Sequence, residues 1–169
     1  MVGLLIMCLV TFQSLFGNDM PFQHPQGAGF KQGLVTPANS FMIGPLGGLF
    51  EIDPPDKTIE HIYLDVPPNA VSRETHFSVS FDSGTFVPVI GEASGYVMII
   101  DTGNVRTFQQ AIKVIVQRQP PRYRGIPVGY SIEDDGKIKG IDTVWDKESG
   151  KLTFYSFRPL RFTWVYTKA

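Results

Sequence analysis

His76-Phe77-Ser78-Val79-Ser80-Phe81 alternates large apolar residues with polar ones at every step. Successive side chains of an extended strand point to opposite faces, so Phe77, Val79 and Phe81 share one side and His76, Ser78 and Ser80 the other. The hexapeptide therefore predicts a half-buried strand with a core side and a solvent side. Ile112, Val114 and Val116 repeat the pattern, with Lys113 and Gln117 across from them and only Ile115 out of step. Working outward, runs rich in Val, Ile, Phe and Tyr, broken by Gly, Pro, Asp and Asn, recur at 48–52, 62–66, 96–100, 128–132, 138–145, 152–157 and 162–167. No window of eleven or more residues shows an apolar stripe at helical spacing, and 71–75 predicts at most one turn. The chain reads as all-β, an antiparallel β-sandwich of about eight or nine strands.

A chain of 169 residues suits one domain. Its 17 Gly and 13 Pro follow no period, which excludes collagen and implies many turns between short elements. Glu133-Asp134-Asp135-Gly136-Lys137 holds the Asp-Gly pair that accepts the positive φ of a hairpin turn, and Asp146-Lys147-Glu148-Ser149-Gly150-Lys151 is a longer connection of the same kind. Together they predict a three-stranded meander over 128–157.

Charge divides unevenly about Asn104. Residues 1–103 hold three basic side chains against ten acidic, and residues 104–169 hold twelve basic against six acidic. Halves of opposite sign attract within one folded unit, and a net charge of −1 does not suit a nucleic-acid binder. Arg118, Arg122 and Arg124, set among prolines, form a basic cluster. It reads as a solvated loop, or as a contact for a phosphate or an acidic partner. Cys8 is the only cysteine, so no internal disulfide is expected.

Residues 1–17 carry no charge and contain the apolar run Leu4-Leu5-Ile6-Met7-Cys8-Leu9-Val10. The run is shorter than the ~20 residues of a membrane-spanning helix and resembles the centre of a secretory signal, with Gly17 as a cleavage point. No Lys or Arg precedes it, and Leu15 is large for its place before the cut, so a buried first strand or a mis-assigned start is the other reading. Secreted, periplasmic or cell-surface placement is expected, with a cytoplasmic location as the alternative. Residues 18–39, punctuated by Pro21, Pro25, Gly27, Gly29, Gly33 and Pro37, read as a linker or extended arm, and 40–169 as the sandwich.

Gly47-Gly48, then Tyr63-Leu64-Asp65-Val66-Pro67-Pro68-Asn69-Ala70-Val71, then Thr75 and Thr107-Phe108-Gln109-Gln110-Ala111 stand in an order similar to the ZU-five domain. That β-sandwich module occurs in ankyrins, netrin receptors and death-domain scaffolds, and in related exported bacterial proteins. In that family a Gly-Gly start precedes a strand, a Val-Pro-Pro-Gly-Ala segment turns the chain, and a Phe-x-x-Pro segment leads into a core strand. Here Asn69 replaces the glycine and Ala111 the proline. The likeness covers roughly 44–166, and it implies a non-catalytic scaffold role. Independently, Pro67-Pro68 must end a strand, because two fixed φ angles and two missing donors cannot continue a ladder. Asn69 is the second-best residue for the positive φ that must follow.

Few residues suggest chemistry. His76-Phe77-Ser78 spells the motif at which some members of that family cut their own chain, a hydroxyl attacking the preceding carbonyl. It lies at the start of a strand instead of near the domain end, where Arg161-Phe162-Thr163 offers a hydroxyl and no base. His24 and His61 stand at no metal spacing, and Glu133, Asp134 and Asp135 are too few oxygens for a calcium cage. Ser72, Ser94 and Ser131 lack a nucleophile elbow. Neither catalytic residues nor a cofactor are expected. Phe162, Trp164 and Tyr166, beside Phe154 and Tyr155, either fill the core from one side of their strands or stack on a sugar or a protein partner. The expected function is a non-catalytic module for protein interaction or self-assembly, with Phe162, Trp164, Tyr166, Arg118, Arg122 and Arg124 as contact residues; carbohydrate binding and self-processing are the alternatives.

Overall fold

The computed structural model describes residues 29–168 apart from 56, 58, 88–91, 94 and 119–124. Its strands are β1 (Gly29–Lys31), β2 (Val35–Ile43), β3 (Gly48–Ile52), β4 (Ile59–Val66), β5 (Thr75–Asp82), β6 (Thr85–Val87), β7 (Glu92–Ala93), β8 (Val97–Asp101), β9 (Ile112–Arg118), β10 (Gly125–Ile132), β11 (Ile138–Gly140), β12 (Thr143–Asp146), β13 (Lys151–Ser156) and β14 (Leu160–Lys168). One sheet runs β11-β10-β14-β8-β5-β2 with β7 beside β14, a second runs β12-β13-β9-β4-β3, and β1 pairs with β6 in a separate ribbon. The described residues hold no helix, and the two antiparallel sheets form a β-sandwich.

Alternation builds the core as the sequence requires. Phe77, Val79 and Phe81 of β5 and Ile112, Val114 and Val116 of β9 are buried, and their polar alternates face outward. Phe154 of one sheet meets Phe162 of the other at 4.7 Å between ring centres and Trp164 at 5.8 Å. Phe162, Trp164 and Tyr166 are only 0%, 1% and 5% exposed. They fill the core and line no surface, which corrects their reading as contact residues. Each ring removes a large apolar area from water, so turning all three outward would forfeit the largest apolar burial of β14.

The chain changes between the two large sheets six times, and the tight corners around β3–β4 and β11–β12 show how. Gly47 opens β3 with φ of 67°, and a Cβ there would lie 2.1 Å from the Val66 carbonyl oxygen, so only glycine fits. The turn that follows β4 matches expectation: Asn69 has φ of 62°, and its N–H donates to the Pro45 carbonyl at 2.7 Å. Asn39 then joins the two sheets' edge strands, its side chain donating to Asp53 Oδ2 at 3.0 Å and accepting from the Asp53 N–H at 2.8 Å. The expected meander breaks at the second corner. β11 pairs with β10, whereas β12 pairs with β13 in the other sheet. Ile141 N–H donates to the Gly129 carbonyl at 3.1 Å, and Thr143 Oγ1 accepts the Gly129 N–H at 3.2 Å, tying the sheets where the chain crosses.

Residues 29–39 correct the expected arm in part. β2 begins at Val35 and pairs with β5 along its length, with a bulge between Pro37 and Asn39 that accommodates the proline. Beyond Val35 the same two chain segments continue, Ser83 N–H donating to the Leu34 carbonyl at 3.0 Å, and become the β1–β6 ribbon. The backbones touch where they turn: a Cβ on Gly33 would lie 2.5 Å from Gly84 N, and one on Gly84 2.3 Å from the Lys31 carbonyl oxygen. Phe30 of the ribbon packs with Tyr130 against Ile138 and Val165, and its ring lies 5.5 Å from the Arg161 guanidinium carbon. Because Phe162 and Trp164 point into the core, Arg161 and Val165 point outward, and the ribbon lies across the outer face of the seven-stranded sheet.

Candidate binding face

On the five-stranded sheet the inward residues are Ile62, Leu64, Ile112, Val114, Val116, Leu152 and Phe154, all buried. Their alternates form the outer face, and the ladder register arranges them in rows across the strands. One row reads Leu49 on β3, Asp65 on β4, Lys113 on β9 and Tyr155 on β13. The next reads Glu51, Tyr63, Ile115 and Thr153, extended by Val144 on β12. Leu49 is 64% and Val144 54% exposed, while Tyr63, Ile115, Thr153 and Tyr155 are half-buried by their neighbours in the sheet. Among the described residues no strand or loop packs over this face.

Its polar side chains find partners locally. Lys113 Nζ donates to Asp65 Oδ2 at 2.9 Å, and the Asp65 carboxylate holds the ammonium's pKa above its ordinary value through that hydrogen bond and its charge. His61 Nδ1 meets Glu51 Oε1 at 2.9 Å, and the imidazole stacks on Tyr63 at 5.7 Å with 19° between planes. A surface of apolar and aromatic side chains whose central charges, Asp65 and Lys113, are paired with each other suits contact with another macromolecular surface.

The histidine, serine and acidic residues weighed for chemistry stand apart. His76, Ser78 and Ser80 lie on the outward side of β5, with Ser78 opposite Ser40 on β2 and Asp101 on β8. No hydrogen bond among the described residues joins His76, Ser78 and Asp101; the Asp101 carboxylate instead accepts the Gly103 N–H at 2.8 Å. The Phe77–Ser78 peptide sits in regular ladder pairing with β2, and Ser78 opens the pairing with β8. A cleft of about 330 Å³ lies between residues 73–76 and 102–105. Its buried hydroxyls are satisfied within the fold, Thr75 donating to the Arg73 carbonyl and Thr102 to the Val105 carbonyl. Glu133 pairs with Arg158, and Asp135 accepts the Lys137 N–H, so both serve the turn. No group of three or more His, Cys, Asp or Glu among the described residues is placed to hold a metal.

Arg118 ends β9, whereas Arg122 and Arg124, with His24, Cys8 and the signal-like segment, lie outside the described residues. Of the aromatics weighed, Phe162, Trp164 and Tyr166 lie inward on β14 of the other sheet, and only Tyr155 reaches this face. Tyr155, beside the buried Phe154, is the ring of β13 that faces out. The sequence signal for the face was Ile115, the one apolar residue at an outward position in an otherwise alternating strand. An antiparallel β-sandwich with an uncovered sheet face is the class this architecture defines. The chain matches no protein-family model and no curated protein sequence.

Proposed function

We propose that the chain is a non-catalytic β-sandwich module that binds another protein, or assembles, through the outer face of its five-stranded sheet. The observation that supports this most directly is the continuous row Tyr63-Ile115-Thr153-Val144, flanked by Leu49 and Tyr155, lying uncovered beside the Asp65–Lys113 ion pair and the His61–Glu51 hydrogen bond. Tyrosine and isoleucine at such a place offer contact area with few rotors to freeze, the composition found at protein interface centres. The likeness to the ZU-five module supports the same role. The signal-like segment 1–17 supports a module that works outside the cytoplasm.

A photo-crosslinking side chain placed at Thr153, in the middle of the face, tests the reading in the producing cell. It is expected to form a discrete protein adduct, while the same group at Ser80, on the opposite sheet, does not. Equal labelling at both positions, or at neither, would overturn the assignment of the face.

A further inference from the structure

We infer that a second copy of this chain occupies the face, docked about a two-fold axis that runs along the seam between β4 and β9. This rests on the reading of the outer face as a binding surface and names its partner.

The rows of the sheet support it. A two-fold axis parallel to the strands, lying in the plane of contact at that seam, sets β4 of one copy over β9 of the other and β3 over β13. The first row then meets itself reversed: Leu49 lies opposite the second copy's Tyr155, and Asp65 opposite its Lys113. The second row does likewise, with Tyr63 opposite Ile115 and Glu51 opposite the Thr153 hydroxyl. Leu49 and Tyr63 thus meet apolar partners and Asp65 meets a base, while Glu51 faces a hydroxyl. An axis along β9 itself would set Lys113 against Lys113. At the β4–β9 seam, the 2.9 Å Asp65–Lys113 pair of each copy instead closes with its counterpart into a ring of four alternating charges.

Size sets the strength. Four strands about 4.8 Å apart and three two-residue steps of about 6.8 Å give a face of roughly 390 Å² in projection, below the ~800 Å² per partner of a standard interface. Sheet twist, which holds packed sheets some 30° apart, further favours the central rows. A weak, concentration-dependent dimer is the expected form, loosened by salt because the ring is partly exposed.

Charge exchange tests it. Sedimentation equilibrium on the full chain from about 10 μM to about 1 mM is expected to show mass rising toward twice the monomer, a range that spans weak dissociation constants. Asp65→Lys alone and Lys113→Asp alone each place like charges opposite one another, and each is expected to weaken the dimer about tenfold or more. An equimolar mixture of the two variants restores both inter-copy pairs and is expected to recover the dimer, although neither variant keeps its own internal pair. Wild-type chain that stays monomeric to about 1 mM, or a mixture no better than its components, would overturn the inference. If either charge variant does not fold, Ile115→Glu opposite Tyr63 serves the comparison: loss of dimer supports the docking, and an unchanged dimer overturns it. The two readings fail separately. A monomeric chain whose Thr153 crosslinker still captures a different protein removes the second copy and leaves the face, whereas absence of any adduct at Thr153 removes both.

Discussion

Over the seven-stranded sheet the chain lays its own ribbon, setting Phe30 against Ile138, Val165 and Tyr130 and burying the Asp82 carboxylate beneath the turn at Gly33 and Gly84. Over the five-stranded sheet, Leu49, Tyr63, Ile115 and Val144 have no such cover among the described residues. The chemistry under the two faces differs accordingly. Asp82 Oδ1 accepts the N–H groups of Gly33 and Gly84, each at 2.8 Å, and Oδ2 accepts from Arg161 Nη2 at 3.2 Å, so the buried carboxylate is satisfied within the fold. Asp65 and Lys113 pair at 2.9 Å in partial contact with water. A fully enclosed charge must be satisfied inside the fold, whereas a half-exposed pair is free to accept further partners. The comparison teaches that an outward apolar residue is covered where local chain can return to it and stays exposed where it cannot.

Asp82→Ala should break the covered face most severely. It leaves two N–H groups and the Arg161 guanidinium without their acceptor, at a cost of about 3 kcal/mol. A drop in melting temperature on the order of 10 °C is the expected reading by calorimetry. Gly84→Ala comes next. Its Cβ would fall 2.3 Å from the Lys31 carbonyl oxygen and 2.8 Å from the Phe30 ring, so the ribbon must lift at a cost of about 2 kcal/mol. Amide exchange should then accelerate in 29–34 and stay slow in β5 and β14; uniform acceleration would show that the ribbon does not open on its own. Phe30→Ala should cost about 1 kcal/mol and turn the covered face into a second bare one. The gain in binding of a hydrophobic dye over wild type measures that exposure.

Ile115→Thr sharpens the contrast from the other side. Stability should change by less than about 0.5 kcal/mol in urea unfolding, because the residue is half-exposed and threonine keeps its β-branch, while association through the face falls. The smallest effect concerns pH. The pKa of Lys113 is raised above its ordinary 10.5, chiefly by the hydrogen bond to Asp65. Its contribution is therefore fully present below about that unfolded value and is lost as pH rises through the higher folded one. A slight alkaline loss of stability that disappears in Lys113→Met is the expected titration.

Much of the sandwich was legible because period-two alternation and turn chemistry are local. The strands at 48–52, 62–66, 77–81, 111–117 and 152–157 lie where their residues place them, and Pro67-Pro68-Asn69 turns the chain with the positive φ that asparagine tolerates. β2 was hidden because Pro37 and the polar residues around it break the pattern, and a bulge on an edge strand absorbs them. The run 138–145 was read as one strand because nothing in its apolar spacing marks the crossing at Ile141 and Asp142. That corner exists only because Gly129 of a distant strand leaves room for Thr143, whose Oγ1 a Cβ on Gly129 would meet at 2.4 Å. The candidate face was half legible: Ile115 stood out of step, but the aromatics chosen from β14 were the inward ones.

By itself, then, the order of residues determined which segments extend, where they turn, which side of most strands is apolar, and that stability rests on a core without an internal disulfide. Each of these follows from interactions between neighbours along the chain. The tertiary structure alone decided which outward residues are covered by the returning ribbon, which acid finds an arginine 79 positions away, and which rows meet across β3, β4, β9 and β13. Those depend on register between strands distant in sequence, and a shift of one residue in any pairing would turn its whole pattern to the other side of the sheet.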